Sequence, residues 1–89
     1  MAKKIFTDLI EDLLSKRISE YEFCNKFEEV WNFGSEREDL SNYEKDVLED
    51  LFYVTANYSP FREEVKEYDR YIGEDELVEN VRISYNKLR

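Results

Sequence analysis

The chain has 89 residues, with 22 Asp plus Glu against 13 Lys plus Arg, no His and a formal net charge of −9. That length allows one domain over residues 1–89 with one core, and 16% aromatic residues separate it from charged disordered chains. Lack of His excludes an imidazole base and any His-containing metal site, the acidity argues against a nucleic-acid footprint, and the single Cys24 allows no disulfide within the chain and fits a reducing cytoplasm.

Four segments carry helical periodicity. In the first, Phe6, Leu9, Ile10, Leu13 and Leu14 share one stripe, which the polar Ser15-Lys16-Arg17 ends. The apolar run behind Lys3 and Lys4 is too short for a signal-peptide core or a membrane span. Ser19-Glu20-Tyr21-Glu22 reads as a capping box, with Ile18 and Phe23 spaced as a hydrophobic staple. Phe23, Phe27, Val30 and Trp31 follow as the inner stripe, and Gly34 suits a left-handed stop. Cys24 lies about 70° from the middle of that stripe on a helical wheel, as a buried or half-buried thiol.

Residues 35–40 form a polar connector, and a second capping box, Ser41-Asn42-Tyr43-Glu44, opens the third helix. Its stripe is Val47, Leu48, Leu51, Phe52, Thr55 and Tyr58, and Pro60 stops it. Residues 61–70 have the pattern of a short extra helix with Phe61, Val65 and Tyr68 inward. Gly73 or Glu74 caps the last helix, Ile72 and Leu77 form another staple, and Leu77, Val78, Val81, Tyr85 and Leu88 face inward. The expected fold is all-α: a compact antiparallel four-helix bundle, with a short helix before the last one.

Catalytic motifs are missing. Carboxylate pairs abound, yet their even spread reads as solvated helix faces rather than a general acid–base pair. The acidic loops lack the Gly-centred spacing of a calcium hand, and no Gly-rich phosphate loop or nucleophile elbow occurs. The expectation is a protein that is not an enzyme, without cofactor, metal or small-molecule substrate, and that touches neither membrane nor nucleic acid directly.

The charge is uneven. Residues 19–79 hold 19 acidic groups against six basic ones, a net of −13, whereas both ends are mildly basic. On the third helix Asp46, Glu49, Asp50, Tyr53 and Asn57 lie away from the apolar stripe, with Tyr53 roughly 180° from its centre. A Tyr bracketed by three carboxylates resembles an interface anchor. Glu36, Glu38 and Asp39 precede that helix, and Glu63, Glu64, Glu67 and Asp69 follow it, extending one negative surface. Such a surface steers onto a basic groove and holds it by charge-assisted hydrogen bonds. A nuclease has a groove of that kind; an acidic helical adaptor or regulator binding another cationic protein has the same composition. Ile83, opposite the stripe of the last helix, is a second exposed apolar group.

The sequence also resembles a family. Phe6-Thr7-Asp8-Leu9-Ile10 with Leu13, Ile18-Ser19-Glu20-Tyr21-Glu22-Phe23, the turn from Phe27 to Trp31, Val47 to Val54, Tyr58-Ser59-Pro60, and Tyr71 to Leu77 with Val81 follow the order and spacing of colicin D-type immunity proteins. That group includes immunity proteins of contact-dependent growth inhibition. The resemblance spans roughly 80 residues, counted from these positions on a single-domain scale. It implies a four-helix bundle that covers the basic active site of a tRNA-cleaving toxin domain with acidic side chains. An Asp is common in the family near the place where this chain has Asn57.

Overall fold

The computed structural model describes residues 3–67 and 71–89, so Tyr68 and Asp69 lie outside the described residues. α1 (Lys3–Leu14) buries Phe6, Ile10 and Leu13, with Ile5, Leu9 and Leu14 half-buried beside them. It stops where Lys16 takes a left-handed conformation, φ 65°. There the Arg17 N–H donates to the Asp12 carbonyl at 2.8 Å and the Lys16 N–H to that of Leu13 at 3.0 Å, a Schellman closure.

α2 (Glu20–Phe33) is capped by the Ser19 hydroxyl, which accepts from the Glu22 N–H at 3.1 Å. The reciprocal half of the expected box is replaced: the Glu22 carboxylate pairs with Lys26 one turn on, at 3.3 Å. Gly34 does not make the expected left-handed stop; its backbone is extended, φ −84° and ψ 161°. Glycine is needed there for a steric reason instead. A Cβ would fall 2.7 Å from the Val30 carbonyl oxygen and against the Glu36 carboxylate.

The connector contains a single 3-10 turn, η1 (Glu36–Asp39), and it is anchored by the buried Leu40, so it is not wholly polar in function. α3 (Asn42–Ala56) carries the complete second capping box. The Ser41 hydroxyl accepts from the Glu44 N–H at 3.1 Å while the Ser41 N–H donates to the Glu44 carboxylate at 2.9 Å. Val47, Leu48, Leu51 and Thr55 are buried, with Phe52 and Tyr58 half-buried against them.

The chain leaves α3 ahead of Pro60 because its next residues pair with the segment before the last helix. The Ile72 N–H donates to the Asn57 carbonyl at 2.9 Å, and the Ser59 N–H donates to that of Ile72 at 3.1 Å, an isolated parallel bridge between Tyr58 and Ile72. α4 (Arg62–Glu67) is the short extra helix. Its entry is fixed by Ser59, whose hydroxyl accepts from the Phe61 N–H at 3.2 Å and donates to the Glu64 carboxylate at 3.0 Å. This corner leaves Phe61 ahead of the first turn and 64% exposed, against the inward position expected for it.

α5 (Glu74–Leu88) buries Leu77, Val81, Ser84 and Leu88, with Val78 and Tyr85 half-buried. Ser84 joins the stripe because the spacing 77, 81, 84, 88 holds it on the inner face, where its small side chain takes little room. The four long helices pack in a ring, α1 on α2, α2 on α3, α3 on α5 and α5 on α1. Lys3 marks one end of that ring: its Nζ donates to the Leu88 carbonyl at 3.1 Å and lies 3.8 Å from the Glu44 carboxylate. The starts of α1 and α3 thus meet the end of α5, as an up-and-down bundle requires. The architecture is all-α.

Aromatic rings run through the centre of the core. Phe27 lies 5.4 Å from Phe6, 5.7 Å from Phe23 and 6.3 Å from Trp31, and Trp31 stacks on Phe52 at 6.0 Å. Cys24 is buried beside them, and burial, with Glu28 and Glu20 adding to it, pushes its thiol up to about 12. A thiol that is both inaccessible and protonated is a poor nucleophile. Iodoacetamide at pH 8 is expected to leave Cys24 unmodified in the native protein and to alkylate it in urea, read by intact mass. Labelling of the native protein at the denatured rate would contradict the burial.

Candidate functional site

α3 has one face in the core and the other in solvent. On the outer face Asp46, Glu49, Asp50 and Tyr53 are all exposed, Tyr53 by 57%. Their spacing of three and four residues makes them mutual neighbours: Asp46 adjoins Glu49 and Asp50, and both adjoin Tyr53. Among the described residues none of the three carboxylates has an ion pair. The cations that do pair among the described residues are committed elsewhere, Lys3 to Glu44, Lys4 to Asp8, Arg17 to Asp12, Lys26 to Glu22 and Arg82 to Glu79. Like charges at these spacings oppose a helix by ~0.2–0.5 kcal/mol a pair. α3 therefore keeps an arrangement that its own stability does not favour.

Tyr53 is not free-standing. Its ring meets Phe52 edge-on at 5.8 Å, and Phe52 stacks on Trp31, so the exposed ring rests on the aromatic core. A ring braced in this way has little rotameric freedom left to lose. Asn57 is exposed at the end of α3, where its backbone is engaged with Tyr53, Val54, Thr55 and Ile72.

The flanking acids divide into two kinds. Glu38 and Asp39 on η1 and Glu63 and Glu67 on α4 are exposed. Glu36 is half-buried, with its Oε2 fully buried and without a hydrogen-bond partner. Glu64 is half-buried too, its carboxylate held by the Ser59 hydroxyl. These two belong to the local architecture more than to an outer surface. Asp69 lies outside the described residues.

Between η1 and α3 runs an open groove of about 370 Å³, lined by Trp31, Arg37, Glu38, Lys45 and Glu49. It unites Glu38 with Glu49, two acids that are 11 positions apart in the chain. Compared with protein families, characterised proteins and solved structures, the chain matches none of them. What the face does must be read from its own chemistry.

Among the described residues no cluster of three or more His, Cys, Asp or Glu is placed to hold a metal ion, and no helix is long and apolar enough to cross a membrane. A second concavity, of about 430 Å³, lies between α4 and the start of α5, lined by Ser59, Pro60, Val65 and Lys66 with Glu74 to Glu76. Tyr58, close to Glu74 and Glu20, is pushed up to about 12, chiefly by burial, and stays protonated at neutral pH. The groove residues Trp31, Arg37 and Lys45 had no functional signal in the sequence. Trp31 has the periodicity of a core residue, and Arg37 reaches it only through the fold of η1.

Proposed function

We propose that the protein is an immunity protein that binds and neutralises a cognate bacterial nuclease toxin, by covering the basic groove of the toxin with the acidic outer face of α3. The observation that carries the reading is the cluster of Asp46, Glu49 and Asp50, without counter-ions among the described residues, around the exposed Tyr53. Carboxylates left unpaired in the free chain are ready to accept charge-assisted hydrogen bonds from Arg and Lys of a partner. Tyr53 supplies contact area at the centre. The resemblance of the sequence to colicin D-type immunity proteins supports the same reading and narrows the toxin to one that cleaves tRNA. The protein then acts in the cytoplasm, without cofactor or turnover, by direct and reversible occlusion.

Immunity genes stand beside their toxin genes, which supplies the test. Expression of the neighbouring toxin C-terminal domain is expected to stop growth, and co-expression of this chain to restore it, with the two proteins co-purifying. A neighbouring nuclease domain that kills equally well in the presence of this chain would sink the reading. Co-purification with a cationic protein that is no toxin would favour an adaptor or regulator.

A further inference from the structure

We propose that the groove between η1 and α3 is the seat for one arginine side chain of the protein partner, which enters by displacing the chain's own Arg37. The inference rests on the reading of α3 as a partner-binding face and names one contact within it.

The Arg37 guanidinium carbon lies 5.2 Å from the centroid of the Trp31 ring. This is a cation–π contact made by an exposed side chain on a turn of only four residues. The Trp31 ring is braced by Phe27 and Phe52, whose centroids lie 6.3 and 6.0 Å from its own. An aromatic surface is thus covered by a guanidinium that has no ion pair among the described residues, and the chemistry of the site is displayed by its present occupant.

The charges agree. The groove holds Arg37 and Lys45 against Glu38 and Glu49, two of each sign. Among the described residues no ion pair closes between them, so both carboxylates keep their acceptor capacity. When Arg37 swings out, the groove lacks one positive charge, and Asp46 and Asp50, which have no ion pair among the described residues, lie next to it on α3. One incoming guanidinium restores the balance, lies on the ring face and can donate to both carboxylates. A lysine ammonium is more strongly hydrated and lacks the flat shape for the ring, so it fits less well.

Trp31 is the only tryptophan, so its emission reports on the groove directly. In R37A, acrylamide is expected to quench Trp31 more strongly than in the parent. The tripeptide acetyl-Gly-Arg-Gly-amide should restore the protection, and its lysine counterpart should bind about fivefold more weakly at equal ionic strength. Adding E38Q and E49Q to R37A should remove protection by the arginine tripeptide, with the helical circular dichroism unchanged. Equal quenching of R37A and the parent would overturn the proposal, as would equal binding of the two tripeptides or binding that ignores both carboxylates. No toxin enters this measurement, so failure of co-expression rescue and failure of the groove are separate results.

Discussion

Exchanging Asp46 and Asp50 together for lysine is expected to weaken partner binding by about a thousandfold or more, with the thermal midpoint of the free protein nearly unchanged. Losing one member of a desolvated, hydrogen-bonded charge pair costs about 2–5 kcal/mol, and ~4 kcal/mol is already a thousandfold in affinity. Reversal also sets two ammonium groups against a basic groove. The fold should tolerate the change because both side chains are exposed and, among the described residues, hold no ion pair. A lysine in place of Asp46 would even gain a favourable neighbour in Glu49, and the mutual repulsion of positions 46 and 50 is exchanged, not increased. Titration calorimetry on the complex and circular dichroism on the free variant separate the two effects. Association of the parent should also slow as salt rises, and that of the variant much less so, because steering acts through the charges that were removed. A double variant that binds within about tenfold of the parent would remove α3 as the contact surface.

The outer face of α3 is legible in the amino-acid sequence alone. A residue placed opposite Leu48 and Leu51 on a 3.6-residue repeat must leave the core, so Tyr53 and its carboxylate neighbours were legible from period alone. The Ser41–Glu44 box was equally legible, because its bonds join residues three apart. What could not be read depends on where separate segments meet. Gly34 has ordinary backbone angles, and its role is set by the Val30 carbonyl and Glu36 against it. Phe61 points outward because Ser59 turns the chain ahead of α4. Glu36 and Glu64 look like any other surface acid until a neighbouring segment closes over them. The groove follows the same rule: Arg37 and Trp31 meet only once η1 folds back over α2.

Phe27→Ala is expected to be the most damaging single change to the fold. Phe27 is fully buried, and its ring adjoins Phe6 on α1 as well as Phe23 and Trp31 on its own helix. Truncating such a residue costs ~3–5 kcal/mol, because a cavity remains where the surrounding rings cannot collapse. At ~0.05–0.15 kcal/mol per residue the whole domain holds only ~4–13 kcal/mol. The variant should therefore lose ~15–30 °C of thermal midpoint, with unfolding followed by circular dichroism and Trp31 emission. Phe27→Leu keeps most of the volume and should cost less than ~1.5 kcal/mol. Nearly equal midpoints for the two variants would show that the aromatic centre does not carry the stability assigned to it. The consequence reaches the surface through contact, since Trp31 stacks on Phe27 and Phe52, and Tyr53 leans on Phe52. Loosening Phe27 should thus increase acrylamide quenching of Trp31 at temperatures below the midpoint. The ring that would meet the partner is held in place by the core of the bundle.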